Sequence, residues 1–319
     1  MKRRSLILLF LLLMAGCSIT GNIIKNPVYD SGSIDVYFCP ESDCSEIISS
    51  QIRNAEEKAY CAFYELEIFE VIDAAAQSYA DVRMITDNSN PLNLYFSRTD
   101  DRSGLMHNKF CVIDSNIVIT GSYNPTYSGL DNENNLVMIE SKSIAENYEA
   151  EFREMWHGYF GKGSRVKNKK IVLGNTTVEN YFCPEDWCAD KLANVLISAN
   201  DSIHFMVFSF TDDYIGDIVA EKHEEGIEIL GILDNFQNKG SKYSEYKKML
   251  GAGINVSLWG NSKEFLHHKV FIIDGKMVVT GSYNPTRNGD FVNDENMLII
   301  HDEEIAKEYE RKFKEILKK

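Results

Sequence analysis

Positive charge is scarce in this sequence. Lys and Arg number 33 against 48 Asp and Glu, a formal net charge of −15 over 319 residues. Affinity for nucleic acid comes mainly from cationic contacts to phosphates, so this balance argues against a wide basic footprint, though not against a small basic cleft on an acidic body. Cysteine is sparse as well. Seven residues are too few for a disulfide scaffold but enough for local bridges in an oxidising compartment. The apolar run from Leu6 to Met14 is too short to span a bilayer comfortably. What remains, 44% hydrophobic and 25% charged residues, is neither disordered nor fibrous, and the length suits about two average domains.

The short apolar run has a setting of its own. Lys2, Arg3 and Arg4 precede it, and Ala15-Gly16-Cys17 follows it as a small-residue cleavage site. Cysteine directly after small residues resembles a prokaryotic lipoprotein signal, with Met14 standing where Leu is more usual. That resemblance implies a signal peptide over 1–16, a lipidated Cys17, a tether over 17–33 and a membrane-anchored protein outside the cytoplasm. A plain secreted protein or an uncleaved anchor is the alternative. Removing 1–16 deletes three positive and no negative charges, which moves the net charge from −15 to −18.

The rest of the chain is one unit written twice. Asp35-Val-Tyr-Phe-Cys-Pro-Glu-Ser-Asp-Cys44 recurs as Glu179-Asn-Tyr-Phe-Cys-Pro-Glu-Asp-Trp-Cys188. Val82 to Asn88 answers Ile229 to Asn235. HNKFCVIDSNIVITGSYNPT from His107 answers HHKVFIIDGKMVVTGSYNPT from His267. In each copy strand and helix patterns alternate. The first reads as strands at 34–38, 59–66, 82–86, 107–114, 117–120 and 135–140, with helices over 45–58, 67–80 and 143–160; the second closes with a helix over 302–317. Such alternation implies an α/β architecture with helices covering sheets. The units run over 34–160 and 171–319, joined by the polar, basic segment 161–170, read as a solvated linker.

Each copy carries H-x-K, then Asp, then G-S-x-N: His107, Lys109, Asp114, Gly121, Ser122 and Asn124, and again His267, Lys269, Asp274, Gly281, Ser282 and Asn284. On a strand, residues two apart share a face, so each histidine points with its lysine. Asp114 lies seven residues on, at the opposite face, and reads as a structural group near a hairpin end. Gly121 permits close approach or an unusual dihedral. Ser122 and Asn124 supply neutral donors. Together the motif offers an imidazole, an ammonium, a hydroxyl and an amide, all suited to phosphate. His268 faces away from the motif and reads as structural. His157, His204, His223 and His301 read as surface or core.

These paired motifs resemble the HKD motifs of the phospholipase D superfamily, and the repeat covers essentially the whole chain after the leader. The resemblance implies two α/β units, helices flanking mainly β-sheets, packed about a pseudo-twofold axis with both motifs lining one site. It implies metal- and cofactor-independent cleavage of a phosphodiester through a phosphohistidine. One histidine attacks phosphorus and the other protonates the leaving oxygen. Lys109 and Lys269 would stabilise charge on the non-bridging oxygens. His107 is preferred as nucleophile because relatives with two motifs in one chain often use the first. By the same analogy Asn132-Glu133-Asn134 answers Asp294-Glu295-Asn296, and Glu133 and Glu295 would orient the two histidines.

Cys39 with Cys44, and Cys183 with Cys188, are expected to form one local disulfide per copy. Free thiols, or a shared four-cysteine zinc site, are the open alternatives. Cys61 and Cys111 sit in apolar strand patterns and read as buried thiols. The irregular stretch 88–106 and its counterpart 236–266, with a helix expected over 241–250, would border the cleft. Arg98, Arg102, Lys263 and Arg287 are its candidate cations.

The leading expectation is a phospholipase D-type enzyme that hydrolyses phospholipid head groups beside the membrane. The rivals are an endonuclease acting on DNA or RNA and a phosphate-binding protein without turnover. A nuclease needs a basic groove and a lipase an apolar approach. Oligomeric state is left open.

Overall fold

The computed structural model describes residues 27–261 and 263–319. The expected signal peptide, Cys17 and most of the tether lie outside them. Among the described residues no helix is long and apolar enough to cross a membrane.

In the first unit the strands are β1 (Val28–Asp30), β2 (Ile34–Cys39), β3 (Lys58–Phe63), β4 (Asp81–Asp87), β5 (Ser97–Asp100), β6 (Lys109–Ile113), β7 (Ile117–Gly121) and β8 (Asn134–Glu140), with helices α1 (Cys44–Arg53), α2 (Phe69–Gln77) and α3 (Lys142–Trp156). The second unit has β9 (Lys170–Leu173), β10 (Thr176–Cys183), β11 (Ser202–Val207), β12 (Glu228–Asp234), β13 (Asn255–Trp259), β14 (Lys269–Ile273), β15 (Met277–Gly281) and β16 (Glu295–His301). Its helices are α4 (Cys188–Ile197), α5 (Asp213–Glu224), α6 (Asn235–Asn238), α7 (Glu245–Gly251), α8 (Arg287–Phe291) and α9 (Glu303–Lys318).

These strands form two mixed sheets. One runs β2-β8-β7-β6-β3-β4-β5, and the other repeats that order as β10-β16-β15-β14-β11-β12-β13 and adds β9 and β1 at its edge. The duplication therefore holds at the level of topology. Both motif strands, β6 and β14, lie in the middle of their sheets and are buried along their whole length, which explains their continuous apolar reading.

Local chemistry sets the element ends. Asp43, Ser141, Asp212 and Asp302 each accept a backbone N–H in the first turn of the following helix. The first helix stops at Arg53, short of the expected residue 58, because the amides of Glu56, Glu57 and Lys58 all donate to the Asp114 carboxylate at 2.8–3.0 Å. Asp274 clasps Asn200, Asp201 and Ser202 in the same way. The motif aspartates thus tie hairpin ends to neighbouring strands, far from any reacting group.

Two helices make the join. α3 packs beneath the first sheet and reaches β10 of the second unit, while α9 packs beneath the second sheet and reaches β2 of the first. The contacts are reciprocal, as a twofold relation requires. Phe38 meets Tyr309 edge-on at 5.1 Å and Tyr148 meets Phe182 at 5.0 Å, so aromatic area from both units fuses into one core.

Two expectations need correction and a third needs an addition. The tether is not free up to residue 33, because β1 pairs in parallel with β9 of the second unit. Asp30 also accepts from Ser141 and Ser143 at the start of α3. The linker is exposed along most of its length, as expected, but it is also pinned, since Val166 is buried and Asn168 exchanges hydrogen bonds with Asn147. Cys61 and Cys111 are not thiols. They face each other across β3 and β6, Cα atoms 4.0 Å apart, and are disulfide-bonded. The two local pairs, Cys39–Cys44 and Cys183–Cys188, are disulfides as well, which leaves no cysteine set for zinc among the described residues.

Candidate functional site

His107 and His267 line one cavity of about 1110 Å³ between the units. Each is fixed mainly by the opposite half. The backbone N–H of His107 donates to the Asp294 carbonyl and that of His267 to the Glu133 carbonyl. The loops before them are held by Asp87, which accepts from Met106, and by Asp234, which accepts from Leu266. Both aspartates are fully buried. They stand at equivalent places in the repeated segments 82–88 and 229–235. That recurrence was the available signal, and motif spacing alone gave them no role.

The side chains cross in the same manner, but unequally. His107 Nδ1 meets Glu295 Oε2 at 2.7 Å. His267 Nδ1 meets the Asn134 amide oxygen and the Ser122 carbonyl, each at 3.0 Å. All these partners are acceptors, so each ring holds its proton on Nδ1 and leaves Nε2 as the reactive atom. Glu133 is not the counterpart of Glu295. The strand registers pair Cys39 with Asn134 and Cys183 with Glu295, so Asn134 holds the equivalent place. Glu133 lies one residue earlier and carries ion pairs to Lys312 and Lys319.

Ser122 and Ser282 are completely buried and do not line the cavity. Ser122 Oγ donates to Asn134 and accepts from the Asn135 amide; Ser282 Oγ donates to Glu295 at 2.6 Å and accepts from Asn296. Their place is under the histidine partners, not against phosphate. Asn124 and Asn284 do line the cavity. Gly121 and Gly281 have φ of 144° and 135°, and a Cβ at either would collide with the carbonyl of Asn135 or Asn296.

The lysines are buried beside the histidines. Lys109 Nζ donates to the His107 carbonyl at 2.7 Å, and Lys269 Nζ to the His267 carbonyl at 2.6 Å. The rings of Tyr64 and Phe208 cover them at 5.2 and 4.8 Å. Burial lowers the Lys109 ammonium to about 7 and pushes Lys269 well below the usual lysine range. Both imidazoles are pushed well below the usual range, first by burial and then by the lysine charges, while burial raises the Glu295 carboxyl to about 8. Burial works against the charged form of both lysines, and what would favour it is an anion bound beside them. A phosphodiester supplies that anion and restores the lysine charges.

Of the candidate cations only Arg287 lines the cavity among the described residues, where Glu65, Asp212 and Asp213 also lie. Arg102 is held by Asp100 and Asp294, and Arg98 by the Trp156 carbonyl.

Comparison with known proteins agrees with this geometry. A family profile described as "Cardiolipin synthase, PLD-like domain" matches residues 90–156 and 192–317. The "Phospholipase D" of Rickettsia conorii is 32% identical over 146 residues, 46% of this chain and 72% of that protein. This chain belongs to the phospholipase D superfamily. The "Mitochondrial cardiolipin hydrolase" of Chlamydomonas reinhardtii is 32% identical over 125 residues, covering 39% of this chain and 54% of that protein. The crystal structure of phosphatidylserine synthase from Haemophilus influenzae shares the fold, with a TM-score of 0.66 and 13% identity over 87% of this chain and 85% of that one. The protein is accordingly a phospholipase D-like phosphodiesterase.

Proposed function

We propose that the enzyme hydrolyses phospholipids to phosphatidate and a free head group, outside the cytoplasm, anchored through a lipidated Cys17. The observation that carries the choice of substrate is the cleft wall. Tyr64, Phe208, Tyr214, Tyr243, Phe265 and Phe291 line it, and its charged side chains are mostly carboxylates. That is an approach for acyl chains and the reverse of a nucleic-acid groove.

The chemistry follows from the crossed pairs. His107 Nε2 attacks phosphorus as the bond to the head-group oxygen breaks, and His267, which takes a second proton on Nε2 once the anionic phosphodiester is bound beside it, gives that proton to the leaving oxygen. The phosphohistidine ring is cationic at this point. The Glu295 carboxylate on its Nδ1–H offsets that charge for the lifetime of the intermediate, which is the argument for His107 as nucleophile. Water then attacks phosphorus, yields a proton to His267, and frees phosphatidate and neutral His107. Lys109 and Lys269 hold the negative charge on the non-bridging oxygens.

The test uses mixed phospholipid vesicles and labelled DNA and RNA side by side, in EDTA, with His107→Ala as control. Head-group release that the variant abolishes is the expected result. Cleaved nucleic acid with intact lipid would overturn the reading. Trapping the covalent adduct and mapping it by peptide mass should place it on His107; an adduct on His267 alone would reverse the two roles.

A further inference from the structure

The rim of the cleft carries apolar side chains that nothing in the fold covers. Phe236, Tyr243 and Tyr127 are each about two-thirds exposed, at 64%, 66% and 63%, and Leu130, Tyr214 and Phe291 are also exposed. They come from both halves. Tyr127 and Leu130 flank the lining residues Ser128 and Gly129, while the others surround the opposite wall. They are also continuous with the reacting centre. Phe236 packs on Phe265 at 5.6 Å, Phe265 on Phe208 at 6.1 Å, and Phe208 on the His267 ring at 4.6 Å. An unbroken aromatic path thus leads from solvent to a catalytic imidazole.

We propose that this rim docks on a zwitterionic lipid bilayer, inserting its aromatic side chains at head-group depth. The inference rests on the phospholipid reading above and names the surface on which it operates. Phe and Tyr are side chains of the membrane interface, where an apolar ring and a wet edge are both satisfied. Charge selects the type of bilayer. Glu65, Asp212 and Asp213 line the cavity against Arg287, Glu67 accepts from the Tyr127 amide, and the whole chain is at −15. Anionic lipid repels such a mouth, as it repels an acidic peptide or nucleic acid.

The test places a fluorescent reporter on the rim of the full-length chain. Phe236→Trp is compared with Tyr79→Trp, an exposed position that precedes β4 and so lies at the end of the sheet away from Lys109. Phosphatidylcholine vesicles with brominated acyl chains should quench and blue-shift the first probe and leave the second at the wild-type background. Adding phosphatidylglycerol at low salt should reduce that quenching, and salt should restore it. In parallel, the triple variant Tyr127→Ser, Leu130→Ser, Phe236→Ser should lose about tenfold or more of its rate on vesicles. It should stay within about twofold of the parent on soluble bis(4-nitrophenyl) phosphate, whose turnover needs no surface. Equal quenching of the two probes, or equal losses on both substrates, would overturn the docking surface. Turnover of the soluble diester with no head-group release from any vesicle would instead sink the phospholipid reading, and the quenching result would still decide whether the rim binds lipid.

Discussion

Asn134 and Glu295 occupy equivalent places beneath His267 and His107, but only Glu295 can ionise, and burial holds it back until a cationic ring forms above it. Both fix a tautomer, and only Glu295 also favours the imidazolium. Asn134→Asp should raise the pKa of His267 from its depressed position. A general acid must be protonated, so the rate falls as pH rises through that pKa, and the variant should carry its alkaline limb upward by about one unit. A pH–rate profile that moves its acid limb instead would make His267 the nucleophile. Glu295→Gln keeps a hydrogen bond but removes the charge and should lower turnover about a hundredfold or more with little change in KM. Asp114→Ala removes the acceptor of three backbone amides and should cost about 2 kcal/mol in denaturant melts, with kcat intact below the transition. The histidines, lysines and structural aspartates were legible in the motif because strand periodicity alone sorts their faces. Glu133 was misread for the same physical reason. A strand side chain changes face with a slip of one residue, and the stretch between G-S-Y-N and the next strand is of different length in the two copies, so the register could be read only from the paired strands.

At the level of elements, the long central strands and the helices were visible as apolar patterns, while β1 and β5 were not. Each has three or four residues and little alternation, and each exists because a neighbouring strand offers an open edge. The Cys61–Cys111 bridge was hidden likewise, since it depends on β3 and β6 lying side by side. It joins residues 50 apart in the chain, and Cys111 lies on the strand that carries Lys109. Cys61→Ala with Cys111→Ala should lower stability by about 2–4 kcal/mol under non-reducing conditions. Peptide mapping without reductant should find all three pairs joined, and free thiols at 61 and 111 would contradict the pairing.

Across the whole molecule, the seam between units is polar at its centre and built twice. Asn135 donates to Thr280 and Tyr309, and its carbonyl faces His268; Asn296 accepts from Thr120 and Tyr148 and donates to Asn108. Every one of these groups is buried, so the two halves cannot part without exposing an ordered set of unpaired amides. Because each histidine takes its partner from the other half, chains cut at the 160/161 boundary should each be inactive. Activity should return on co-expression and disappear with Asn296→Leu before secondary structure melts. The duplication announced such a pairing; the asparagines that join it look in sequence like ordinary polar residues at strand starts.

The N-terminal strand has a kinetic consequence. β1 is fastened to the second sheet and Asp30 to the first unit, so any leash to the membrane ends at residue 28. With Cys17 acylated, the ten intervening residues reach at most about 35 Å. An enzyme on so short a leash meets its substrate by lateral diffusion within one leaflet. Its turnover then follows the mole fraction of lipid per unit area around it, and diluting the vesicles at constant composition leaves the rate per molecule unchanged.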